Sequence, residues 1–195
     1  LLFAMLRRVV LTVALLNFCY GLLECGVALR IGSVSLFADS VDFFEDTSIN
    51  VLIFLALAWS AKARARTGML LAGILLVPAA ATIWTAADKL LHPATPDPVL
   101  LGLTGLGALA VNLTCAFLLV KFRSHSGSLT RAAFLSARND AFANLAIIGA
   151  GLVTAGLWPS IWPDLLVGLG VGLLNADAAR EVWKAARDEH KLAEP

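Results

Sequence analysis

Six stretches of about 20 predominantly apolar residues, at roughly 9–29, 33–59, 68–91, 98–120, 129–156 and 163–184, constrain this 195-residue chain more than any other feature. Each is long enough to cross the hydrocarbon core of a bilayer as a helix. Backbone polar groups find no water there, so a spanning segment must satisfy them internally. Composition agrees: 59% of the residues are hydrophobic and 15% charged, against about half and about a quarter in a soluble domain. The reading is an all-α membrane protein of six transmembrane helices. The first run exceeds the apolar core of a signal peptide and has no small-residue cleavage site, so it counts as a span. The connections "RIGS", "KARART", "HPATPDP", "KFRSHSGS" and "WPSIWPD" carry turn chemistry, and Ser128 is placed to cap the fifth helix.

Charge sets the orientation. Arg7 and Arg8 precede the first span; Lys62, Arg64 and Arg66 join the second to the third. Lys121, Arg123 and Arg131 join the fourth to the fifth, and Arg180, Lys184, Arg187 and Lys191 follow the sixth. Twelve bases thus share one face, Arg30 and Lys89 lie on the other, and Arg138 falls within a helix. By the positive-inside rule both termini are cytoplasmic. Trp59, Trp84, Trp158, Trp162 and Trp183 lie mostly near span ends, as interfacial anchors do. Cys19, Cys25 and Cys115 have no CxxC spacing and read as buried packing residues. No Lys/Arg-rich block interleaved with aromatics points to nucleic acid.

Against this apolar background, Glu24, Asp39, Asp42, Glu45, Asp46 and Asp140 all fall inside spans, with Arg138 the one clear base among them. A charge near the centre of a spanning helix costs about 2.5–3.5 kcal/mol on the insertion scale. Protons relieve part of that cost and a bound cation relieves more, so the excess of acid indicates a cation pathway. With Asp42 at zero and 100° per residue, Asp46 falls at about +40°, Asp39 at about +60° and Glu45 at about −60°. The four acids share one third of the second helix, with Ser35 and Asn50 on the same stripe. A packing seam would account for one Asp more readily than for four carboxylates.

The fifth span repeats the pattern. Ser136, Asn139, Asp140 and Asn144 have the spacing of Asp42, Glu45, Asp46 and Asn50, and Asn112 precedes Ser136 much as Asn17 precedes Asp42. Because the second and fifth helices run in opposite directions, a true repeat would be of the inverted three-plus-three type. Two helices that each offer side chains at i and i+4 make a four-ligand site near the midplane, where transporter sites lie. Asn17 and Asn112 read more readily as interhelical hydrogen-bonding groups than as ligands. Glu24 either lines an exit path with Asp39, or snorkels or pairs with Arg30. Asp177 is placed to pair with Arg180. Gly168 and Gly172 form a GxxxG pattern, a candidate face for a homodimer through the membrane helices.

"GSVSLFADSVDFFED", followed by the "ND…N" of the fifth helix, resembles the transport-site helices of cation diffusion facilitators. The resemblance extends over all six spans. It implies a six-helix bundle with cytoplasmic termini that exchanges Zn(II) or a related divalent ion for protons across the cell (inner) membrane. Carried across residue by residue, the metal ligands are Asp42, Asp46 and Asp140, with Ser136 where the family has His or Asp. Asn139, Glu45 or water then supplies the missing donor, and Asp39, Glu45 and Glu24 are candidate pathway residues. The family usually has a metal-binding cytoplasmic C-terminal domain. This sequence ends about a dozen residues after its last span, so a single six-helix transmembrane domain is expected. The fourth-to-fifth loop has His125 alone rather than a His-rich run.

Oxygen donors in place of imidazole harden the site toward Mn(II) and similar ions, although Zn(II) accepts carboxylates. Zn(II) ranks first on resemblance, with Mn(II), Fe(II) and Co(II) open. The metal is cargo, and no cofactor is expected. The rival reading is an intramembrane metal-dependent enzyme of phosphotransferase type, but no basic cluster or Gly-rich turn faces the acids to hold a phosphate. An intramembrane aspartyl protease would need a substrate gate that no loop resembles.

Overall fold

The computed structural model describes residues 2–56, 80–120 and 128–192, every one of which that has regular structure being α-helical. The helices are α1 (Leu2–Ile31), α2 (Val34–Ala56), α3 (described over residues 80–91), α4 (Pro98–Val120), α5 (Ser128–Gly156) and α6 (Trp162–Leu192). The first part of the third span, Trp59 and the basic loops around residues 62–66 and 121–125 lie outside the described residues. Side chains of α5 are described from Ala137 onward, Arg138 excepted, which leaves those of Ser136 and Arg138 outside; that of Asp177 in α6 also lies outside.

Helices α4 and α5 begin and end within a residue of the expected spans, whereas α1 and α6 run well beyond theirs. The reason is physical. Apolar length measures the membrane crossing, while the helix itself continues through strong helix formers such as the Ala, Arg, Glu and Lys of "AAREVWKAARDEHKL". By length and hydropathy alone, α1 and α4 are long and apolar enough to cross a membrane. Large apolar side chains are exposed along the bundle, including Leu15, Leu22, Leu103, Phe117, Phe142, Leu152, Leu166 and Leu173. In lipid, that belt needs no further burial.

Helices α1 and α2 form a hairpin with a specific turn. Gly32 has φ +64°, a left-handed conformation that closes α1, and the Ser33 amide donates to Ala28 O at 3.0 Å. Ser33 then caps α2, its Oγ accepting from the Leu36 amide at 3.1 Å. Before α4, Asp97 Oδ1 accepts from the Val99 and Leu100 amides at 2.9 and 3.0 Å, with Pro98 at the first helical position.

α1 lies along α2 and α4 along α5, while α6 packs on α2 and α5. At one end Leu6, Val10, Val13, Ile53, Cys115, Leu119 and Ala137 form an apolar cluster. Toward the other, Ala28, Leu36, Leu101 and Ile147 form a second, and Val34, Ala86 and Leu165 a third. Between these ends lies a polar layer: Asn17, Glu24, Asp39, Glu45, Asp46, Asn112 and Asn144, all buried. Of the three cysteines only Cys115 is buried; Cys19 is exposed and Cys25 intermediate, all three free. For Cys19 the reading as a buried packing residue therefore fails: an apolar span in lipid has an outward face that burial within the protein does not include.

The GxxxG face is used inside the bundle rather than between copies. A Cβ on Gly168 would lie 2.6 Å from Ser35 N and from the Val34 carbonyl carbon, and one on Gly172 would lie 3.0 Å from Thr82 Cγ2. The small residues let the α6 backbone meet the start of α2, which removes this face as the site of a homodimer. Gly168→Ala is therefore expected to destabilise the protein by about 1–3 kcal/mol or more, since backbone on backbone leaves nothing flexible to yield. Gly170→Ala, where a Cβ meets nothing within 4 Å, is expected to change stability little. Unfolding of the two variants in detergent micelles compares them directly, and equal stabilities would contradict this packing.

Candidate metal-transport site

Helix α2 delivers the acids and its neighbours determine what surrounds each. Asp39 is 0% exposed, Asp46 3% and Glu45 7%, whereas Asp42 is half-buried. On α5, Asp140 is half-buried and Asn139 exposed. The charged groups acting on Asp42 are Asp140, Asp39, Glu45 and Asp46. The Asp140 carboxyl lies within hydrogen-bonding reach of that of Asp46. The structure thus brings Asp42, Asp46 and Asp140 into one cluster bridging α2 and α5, with Glu45 beside Asp46. The side chain of Ser136, one turn before Asp140, lies outside the described residues.

Four asparagines hydrogen-bond in and around this cluster. Asn17 Nδ2 donates to Asp46 Oδ2 at 3.4 Å, and its own Oδ1 accepts from Cys115 Sγ at 3.4 Å. Asn50 Nδ2 donates to the Asp46 carbonyl at 2.8 Å. Asn112 Nδ2 donates to Asn144 Oδ1 at 2.9 Å, and Asn144 Nδ2 to Asp39 Oδ2 at 2.6 Å. Asn17 and Asn112 are therefore interhelical hydrogen-bonding groups, as their sequence context suggests. The repeat resemblance does not extend to their contacts. Asn17 reaches Asp46, while Asn112 reaches Asn144, one turn further along α5 than the counterpart of Asp46.

Among the described residues the ion pairs are Lys89–Asp164 and His92–Asp88, and neither touches the cluster. Also among the described residues, no three His, Cys, Asp or Glu side chains converge on metal-ligand geometry. The acids that act on one another electrostatically come from two helices, Asp42 and Asp46 from α2 and Asp140 from α5. Glu24 neither snorkels nor pairs with Arg30. It is 0% exposed and its oxygens accept no hydrogen bond, while Arg30 is exposed.

The family model for the cation efflux transmembrane domain matches residues 10–189. The chain belongs to the cation efflux family. A comparison with curated proteins returns no match. Membership of the cation efflux family makes the chain an integral membrane protein and a transporter of metal cations. Cation efflux proteins are transporters, so the phosphotransferase reading is not favoured.

Sequence reasoning misses Asp164, which falls in the "WPSIWPD" connection. Asp164 is 0% exposed and accepts from Ser33 Oγ and Ser35 Oγ, each at 2.6 Å, from the Val34 and Ser35 amides at 2.9 and 3.2 Å, and from Lys89 Nζ at 3.0 Å. Lys89 Nζ also donates to Gly32 O. Asp164 therefore caps the N-terminus of α2 from another helix and holds the acid-bearing helix in place. The one signal in the chain is its place beside Pro163 at the start of an apolar run, which reads as an ordinary first-turn acid.

Proposed function

We propose that the protein carries a divalent transition-metal cation, Zn(II) first, out of the cytoplasm across the cell (inner) membrane in exchange for protons. Asp42, Asp46 and Asp140 are its primary ligands in this reading, and Ser136, Asn139 or water completes the set. The observation that carries it is the joining of acids from α2 and α5 in one cluster, with Asp140 in reach of Asp46.

Carboxylates packed together away from bulk water repel one another, and the empty cluster balances that repulsion by holding protons. A divalent cation requires the same oxygens without their protons, so binding the ion expels them. If the helices tilt to open the cluster to one face and then the other, ion and protons exclude each other at each step. A proton gradient directed inward then favours release of the metal outside. Family membership and this coupling both support export as the direction. Oxygen donors leave Mn(II), Fe(II) and Co(II) as competing cargo.

The test uses purified protein in liposomes with a metal-sensitive dye inside. An acidic lumen facing the release side is expected to accelerate Zn(II) entry several-fold, with matching proton counter-movement. Collapse of the gradient with an ionophore should return the rate to its basal value. Zn(II) flux indifferent to the gradient, with no counter-movement of protons, would leave a uniporter and overturn the exchange.

A further inference from the structure

Among the described residues, three carboxylate oxygens in the polar layer have no hydrogen-bond donor. Glu24 is 0% exposed, and neither its Oε1 nor its Oε2 accepts a hydrogen bond; Asp39 is also 0% exposed, and its Oδ1 accepts none. What faces Glu24 is the Asp39 carboxyl itself, within hydrogen-bonding reach. The nearby donors are committed elsewhere. Tyr20, one turn before Glu24, gives its hydroxyl to Thr104 O at 2.6 Å. Asn144 spends its Nδ2 on Asp39 Oδ2, and its orientation is fixed by Asn112 at its other end.

Buried polar atoms in native structures are almost always satisfied, and an orphaned group marks a functional role or an ion. Here the orphans are not scattered. They come from facing positions on two helices and point at each other, an arrangement in which each anion worsens the other's position. Asp39 lies three residues from Asp42 toward the α1–α2 turn, about 4.5 Å along the helix axis. Glu24 approaches from α1 at the same depth, so the pair forms its own layer beside the aspartate cluster. Two carboxylates with three free oxygens suit a small divalent cation that keeps some of its water, a common pattern for hard-ligand sites.

We propose that Glu24 and Asp39 form a second divalent-cation site, lying between the Asp42–Asp46–Asp140 cluster and the α1–α2 turn, which receives the transported ion on its way out. It rests on the transport reading only for its role and not for its existence. With two acids in place of three, it binds more weakly than the cluster, as a release site must. Its lining also accounts for the Asn112–Asn144 chain, which holds Asp39 Oδ2 and leaves Oδ1 free for the ion.

The experiment is a Zn(II) and Mn(II) binding titration of the full chain in detergent, with the variants Glu24→Gln, Asp39→Asn and Asp140→Ala. The wild-type protein is expected to bind two ions, one at least tenfold more weakly than the other. Glu24→Gln and Asp39→Asn should each lose the weak ion and retain the tight one, while Asp140→Ala loses the tight ion and retains the weak. Circular dichroism of each variant establishes folding, and either of the two outer variants alone suffices for the comparison. Two ions in both outer variants, or one ion in the wild type, overturns the second site. A carboxylic-acid infrared band lost in Glu24→Gln with metal stoichiometry unchanged also overturns it, identifying a shared proton instead. Retention of both ions by Asp140→Ala counts against the cluster as the transport site and leaves the Glu24–Asp39 site standing.

Discussion

Asp140→Ala is expected to reduce metal transport to a few per cent of wild type or less, with the protein still folded. Asp140 is the acid that α5 contributes to the cluster, within reach of Asp46 and acting on Asp42. Truncating one partner of a buried charged interaction costs about 2–5 kcal/mol, which is roughly 30-fold or more in affinity. Removing it also takes away the repulsion it exerts on Asp42, Glu45 and Asp46, so the bundle should keep its stability and purify for binding measurements as readily as the parent. The readouts are dye-reported uptake in proteoliposomes and metal titration of the purified chain. Uptake at the wild-type rate would remove Asp140 from the ligand set and, with it, the pairing of α2 and α5 as the walls of the site.

The second large effect concerns stability. Asp164→Ala is expected to cost about 3–5 kcal/mol, the usual consequence of breaking a buried ion pair from one side. Lys89, 5% exposed, would be left as an unpaired buried cation, and Ser33, Ser35 and the first amides of α2 would lose their acceptor. That is a large share of a stability of about 5–15 kcal/mol. The double variant Lys89→Met, Asp164→Ala removes the stranded charge and is expected to recover part of the loss. Denaturant or thermal unfolding in micelles reads both. A single variant as stable as wild type would show that α2 is held by its hairpin with α1 alone. Gly168, one turn after Asp164 on the same face of α6, brings the two helices close enough for these bonds. The two residues act together on the N-terminus of α2.

The acid stripe of α2 is legible in the chain itself, because helical periodicity places residues 39, 42, 46 and 50 on one face whatever the helix packs against. The existence and order of the described helices follow from apolar length for the same reason: backbone polar groups in lipid must bond within the segment. The lysine and arginine distribution likewise depends on position along the chain alone. Membership of the cation efflux family is visible in "SLFADSVDFFED", since a family motif is itself a local pattern. Partners are not local. Asn17 with Asp46, Asn144 with Asp39 and Lys89 with Asp164 join residues far apart in the chain, and periodicity gives the face of a helix without naming what lies opposite. Glu24 shows the difference most plainly: its neighbourhood in the chain suggests Arg30, near the helix end, but the fold buries it against Asp39. Gly168 and Gly172 likewise permit close approach by their size alone, and only the packing of α6 on α2 and α3 decides that the approaching atoms belong to the same chain. Sequence determines which faces are polar, small or apolar; three-dimensional packing determines which of them meet, because contact energies depend on atoms that the chain brings together only when it folds.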